Sequence, residues 1–247
     1  MKARLLLAFL PLLAAIAAVP AMAQEKAARN DEIVTQVNAA MSAKDWKRAK
    51  ELLPQLIAGE PDRWEYYQWL GNAQSNLGEY ADAAATYAQG IRKAEIQSGS
   101  ASDPGKAKAL KAGIGQMLVG QGNAYLKLRR TADAMVAYAN AAEADPNPGL
   151  AYFNLCATAY NLGDMERAVP ACEKSIQADP TGADAYFIKG SALFARGTLD
   201  KQGKYVVPPG TVEALRKYIE LAPNGSHAND VNAMLEAAGA AILSPPK

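Results

Sequence analysis

Side chains that most often do chemistry are scarce in this chain of 247 residues. It has one histidine, His227, and two cysteines, Cys156 and Cys172. A Ser–His or Cys–His nucleophile pair would have to use His227, because the imidazole must take the proton of the attacking group. That histidine opens the last amphipathic segment, where it reads more simply as a solvated helix-start residue. The cysteines stand too far apart for a CxxC redox motif, and a reactive thiol needs an exposed, electropositive setting. HExxH and the phosphate-cradling GxxxxGK[ST] are both missing. Gly120-Gln121-Gly122 lacks the third glycine of a dinucleotide fingerprint, and the carboxylates occur singly on helical faces. We therefore expect no catalytic residue, no metal site and no cofactor.

Composition narrows the class further. The chain is 50% hydrophobic and 21% charged, an ordinary globular balance. It begins Met1-Lys2-Ala3-Arg4, a short cationic start, and continues into Leu5 to Val19, which carries no polar side chain. Pro20-Ala21-Met22-Ala23 follows, with small residues placed for cleavage between Ala23 and Gln24. The run is shorter than the roughly 20 residues of a spanning helix and Pro11 interrupts it, which disfavours an uncleaved anchor. We therefore expect a signal peptide over 1–23, cleavage, and export to a periplasm-like space, with 24–30 as a linker. Without residues 1–23 the chain has 24 basic and 25 acidic side chains, a net charge of −1. Such a chain has no electrostatic preference for nucleic acid or anionic membrane. The sequence holds no second long apolar run, so we expect no membrane insertion once the signal is removed.

A fixed period organises the rest. Ala49, Ala83, Ala134 and Ala168 are separated by 34, 51 and 34 residues, the middle spacing being one period plus an insertion of 17. Periods in this range mark stacked helical hairpins. The content of three units agrees with the period. Tyr67, Leu70, Gly71, Ala83 and Tyr87 recur as Gly122, Tyr125, Ala134, Tyr138, Ala141 and Pro146, and again as Tyr152, Leu155, Ala168 and Pro180. On these residues the chain resembles the tetratricopeptide repeat (TPR) family. The resemblance implies an all-α, right-handed superhelical solenoid of antiparallel helix pairs, about five hairpins over 31–61, 64–95, 111–146, 149–180 and 183–223, with a capping helix over 227–243. Gly71 and Gly122 let helix A approach helix B closely, while Pro61, Pro146 and Pro180 end the B helices. Asp45 and Asp164 are candidate N-caps. Pro54 and Pro170 fall inside B helices, where each removes a backbone bond.

Two insertions depart from the period. Residues 96–110 (IQSGSASDPGKAKAL) are rich in Ser, Gly and Pro and read as a flexible loop. Residues 196–210 contain KQGKYVVPPG, consistent either with a small ribbon or with an unstructured surface loop.

Within the resemblance, Cys156 and Cys172 take facing positions on the two helices of the fourth hairpin. That placement implies a disulfide, with two buried thiols as the alternative. The family also lines a concave groove with helix A. Here that face offers Gln68, Trp69, Asn72 and Asn76, then Asn123 and Lys127, then Phe153, Asn154, Tyr160 and Asn161, and finally Phe187 and Phe194. Only one cation, Lys127, is among them, too few to grip a chain-terminal carboxylate. An amide and aromatic face suits an extended peptide, because a carboxamide can pair with both backbone N–H and C=O. Packing between helices is an equal account of Phe153 and Phe187. The implied function is an exported protein-binding scaffold in cell-envelope assembly. The alternatives are a chaperone-like accessory subunit of a secretion or outer-membrane assembly machine and, least favoured, an enzyme. The sequence leaves the partner and the oligomeric state open.

Overall fold

Alternating apolar positions at helical spacing, with small residues where helices cross, produce a stack of paired helices. The computed structural model describes residues 12–239, with side chains from residue 24 onward. It is an all-α solenoid with eleven helices among the described residues. The hairpins are α1 (Leu12–Ser42) with α2 (Trp46–Gly59), α3 (Trp64–Asn76) with α4 (Tyr80–Ser100), α5 (Pro104–Lys127) with α6 (Thr131–Ala144), α7 (Gly149–Asn161) with α8 (Met165–Ala178), and α9 (Ala183–Phe194) with α10 (Thr211–Leu221). Helix α11 (Ala228–Ala237) covers the last pair. No helix among the described residues is long and apolar enough to cross a membrane.

Local chemistry sets the boundaries. The carboxylates of Asp45, Asp103 and Asp164 accept the backbone N–H groups of Arg48, Lys106 and Arg167, capping α2, α5 and α8. Between helices A and B the chain turns through a left-handed residue, which is Gly78 and Gly163 in two hairpins. The same turn is made by Lys44 (φ 57°) and Arg129 (φ 59°) in two others. Pro54 and Pro170 stay inside α2 and α8, both on exposed faces.

Three sequence expectations change. The stretch expected as a flexible loop, 96–110, is almost wholly helical, and only residues 101–103 lie outside α4 and α5. Asp103 caps α5 with Pro104 in its first turn, and Leu110 and Ile114 carry the helix into the core. Ser100 closes α4 by donating to the carbonyls of Ile96 and Gln97. The inserted residues therefore lengthen one hairpin. The expected linker 24–30 is part of α1. The capping helix stops at Ala237, and Gly239 at φ 68° turns the chain away; residues 240–243 of the expected helix lie outside the described residues. Much of the expected signal segment, 1–11, also lies outside them.

The second insertion forms a ribbon. Strand β1 (Thr198–Leu199) pairs antiparallel with β2 (Tyr205–Val206), in register Thr198 to Val206 and Leu199 to Tyr205. Tyr205 anchors it, donating its hydroxyl to the Phe194 carbonyl at 2.6 Å, with its ring against Gly197.

Candidate binding groove

One contact between helix A and helix B recurs and fixes what the groove can present. Residues sixteen apart meet across the second, third and fourth hairpins. In the second hairpin a Cβ on Gly71 would stand 2.6 Å from the Tyr87 ring, and in the third a Cβ on Gly122 would stand 2.5 Å from the Tyr138 ring. Only glycine admits the rings so closely. Gly120 meets Tyr87 from the other side at a comparable 2.7 Å, which accounts for both glycines of Gly120-Gln121-Gly122. In the first hairpin the residues at this spacing are Val37 and Leu53, both fully buried in one apolar cluster. In the fourth they form a Cys156–Cys172 disulfide, with Cα atoms 4.9 Å apart and both residues fully buried. In the fifth, Gly190 meets Leu215, which the ribbon has moved further along the chain.

The tyrosine version of this contact extends to the groove. Tyr87 donates its hydroxyl to Asn72 Oδ1 at 2.7 Å, and Tyr138 donates to Asn123 Oδ1 at 2.7 Å. Each phenol thus gains the acceptor that a buried hydroxyl needs. Each carboxamide is also oriented, with its NH2 turned from the core. Asn72 and Asn123 therefore serve the hairpins themselves as well as facing the groove.

Burial raises the pKa of both phenols, and pushes Tyr138 up to about 12. A raised folded-state pKa means that ionisation opposes folding. The stability the Tyr138 ring contributes is present in full below the ordinary phenol value of 10 and is lost as pH climbs through about 12. In an alkaline titration followed by phenolate absorbance, Tyr138 should ionise only at a pH well above 10, together with loss of helical circular dichroism. Tyrosines that all ionise near 10 with the fold intact would contradict this.

The groove is two adjoining cavities. The larger, about 410 Å³, runs across α3, α5 and the start of α7 and is lined by Gln68, Asn72, Asn76, Gln116, Asn123 and Asp145, with Leu150 at its end. The smaller, about 180 Å³, shares Ser75, Asn76 and Asn123 with it and ends at Lys127. Gln68 donates to Gln116 at 2.9 Å across the groove floor, and Asn76 donates to the Asn72 carbonyl at 2.8 Å. The wall is amide-rich, with a cation at one end and a carboxylate at the other.

Five of the residues read from sequence thus come together: Gln68, Asn72, Asn76, Asn123 and Lys127. The aromatic ones mostly do not. Trp69 packs on the cluster of α1 and α2, its ring 5.7 Å from that of Tyr66. Tyr160 packs between α7 and its neighbours. Phe187 stacks on His227 at 3.8 Å, holding α11 in place, and Phe194 lies 4.9 Å from Tyr205 of the ribbon. In each case a neighbouring element supplies the apolar surface the ring needs. Phe153 packs near the disulfide and also lines a separate cavity between α7 and α9. Asn154 and Asn161 line neither groove cavity. Gln116 and Asp145 were missed. Gln116 obeys the same helix-A rule as its neighbours, whereas Asp145 follows the end of α6 and has no repeat-encoded signal. Among the described residues no group of three or more His, Cys, Asp or Glu is arranged to hold a metal.

Comparisons with known proteins agree on the architecture. A tetratricopeptide repeat family model matches residues 34–99, 119–183 and 158–206, more than half of the chain. Comparison with curated proteins gives no match. Among solved structures, YrrB, described as a TPR protein with an unusual peptide-binding site, is 18% identical, with a TM-score of 0.57 over 81% of this chain and 90% of that one. MamA from Desulfovibrio magneticus RS-1 is 16% identical, with a TM-score of 0.59 over 80% and 97%. A tetratricopeptide repeat protein from Parabacteroides merdae ATCC 43184 is 15% identical, with a TM-score of 0.59 over 84% and 74%. At these identities the likeness is one of fold.

Proposed function

The chain belongs to the tetratricopeptide repeat family, and from that premise we propose that it is an exported, non-catalytic scaffold holding an extended segment of a protein partner against Asn72 and Asn123. Proteins of this family are generally scaffolds for protein–protein interaction. The observation that carries the reading for this chain is the orientation of the two carboxamides. A phenol on Oδ1 turns each NH2 outward into one continuous amide-lined groove. Oriented NH2 groups suit backbone carbonyls of an extended chain, and the glutamines beside them add donors and acceptors of the same kind. The described peptide-binding site of YrrB is a precedent on the same fold.

Export rests on two independent supports. The N-terminal pattern of cation, apolar run and small residues is that of a cleaved signal, and a disulfide between Cys156 and Cys172 persists in oxidising compartments. Both fit a role in cell-envelope assembly.

The test is peptide binding by the mature chain. A random peptide library should yield ligands with saturable affinity, which Asn72→Ala and Asn123→Ala together weaken by about tenfold or more, an amount of binding free energy typical of lost backbone hydrogen bonds. Melting curves must accompany the measurement, since both changes leave a tyrosine hydroxyl without its acceptor. Unchanged affinity in a folded double variant removes the groove from the reading.

A further inference from the structure

The groove ends against a second cavity whose chemistry differs from its own. Leu150, 62% exposed at the start of α7, forms a wall common to the amide-lined cavity and to one of about 340 Å³ between α7 and α9. This second cavity has Phe153 and Leu150 as its apolar side and Asp179 and Asp184 as its charged side, with Ala183 and Ala185 completing α9's contribution. Across Leu150 the groove side carries Asp145. No lysine or arginine lines either cavity.

The cavity's two carboxylates and Asp145 beside it have no cation on them among the described residues. Nine ion pairs occur among the described residues, and none includes Asp145, Asp179 or Asp184. Asp179 accepts the backbone N–H and the hydroxyl of Thr181, both on Oδ1, and neither donor falls on Oδ2. Those same bonds hold its carboxyl below the usual carboxylate range, so it stays charged in mildly acidic surroundings. An apolar wall of leucine and phenylalanine beside carboxylates that no cation pairs matches a side chain with an apolar stem and a cationic head.

We infer that the cavity between α7 and α9 receives an arginine or lysine side chain of the bound segment, its stem against Leu150 and Phe153 and its head between Asp179 and Asp184. The inference rests on the groove reading above and names the partner's chemistry. The partner segment is extended over Asn123 and Asn72, passes Leu150, and carries a basic residue at a fixed distance from the part that the amides hold.

A random dodecapeptide library selected on the oxidised, full-length mature chain tests it. The expected result is enrichment of arginine or lysine at one position. Replacing that arginine by neutral citrulline in a selected peptide should weaken binding by about fivefold or more, the upper range for a partly exposed charge pair. Asp179→Asn with Asp184→Asn should produce the same loss, and citrulline should then have no further effect. Asparagine at 179 keeps an oxygen for Thr181, so a melting temperature matching the parent confirms that the fold is intact. Selected peptides that need Asn72 and Asn123 but show no basic preference overturn the assignment and leave the groove reading standing. A basic preference that persists unchanged in the double variant overturns it too. A library that yields no ligand removes both.

Discussion

Refolded in reductant, the mature chain is expected to be less stable by about 3 kcal/mol than its oxidised form, the chain-entropy value for closing a loop this short. Cys156 and Cys172 are 16 residues apart in sequence and fully buried, so reductant must act on the unfolded chain. Urea titration of oxidised and reduced samples measures the difference without changing any residue. The loss should concentrate on α7 and α8, because each repeat in a solenoid contacts chiefly its neighbours. Hydrogen exchange then speeds most in that hairpin and less with distance from it. Equal urea midpoints in the two samples would rule out a stabilising role for the bond.

Tyr138→Ala should cost about 3–5 kcal/mol, the range for removing a large buried ring. The ring is fully buried against Gly122, so its removal leaves a cavity at the A–B crossing. Tyr138→Phe keeps the ring and loses only the bond to Asn123, which is exposed and can turn to water. That change should cost about 1 kcal/mol, a typical hydrogen-bond contribution. It should also weaken peptide binding by more than its effect on stability suggests, since the Asn123 carboxamide is no longer oriented. Equal destabilisation by both variants would mean that the hydrogen bond, and not ring packing, dominates at this position.

The hairpin stack was legible because its determinants are local and repeat. Gly71 and Gly122 precede aromatic residues by a fixed spacing, and Ala49, Ala83, Ala134 and Ala168 recur where helices cross. The facing cysteines were legible for the same reason, since they take the glycine and tyrosine positions of the other hairpins. The insertion 96–110 reads as a loop from composition alone, because Ser, Gly and Pro are common loop formers. Their positions in the helix matter more: Pro104 lies in a first turn behind a capping Asp103, and Ser100 sits at a helix end. The groove was half legible. Amides on helix A face it because the face is set by helical period. Trp69, Tyr160, Phe187 and Phe194 obey the same period but lie beside apolar neighbours from other elements, which period alone does not reveal. Asp145 and Leu150 come from the ends of two different helices, so only the assembled stack brings them together.

The bond in the fourth hairpin has a mechanical consequence. A solenoid pulled at its ends lengthens as hairpins unfurl one after another, each releasing its contour. Here the segment from Cys156 to Cys172 is shunted by a covalent crosslink, so about 50 Å of extended chain, at roughly 3.3 Å per residue, stays out of reach of the load. The second and third hairpins, joined at the same position by a ring against a glycine, have no such stop. Between its two ends the molecule is a spring with one inextensible coil.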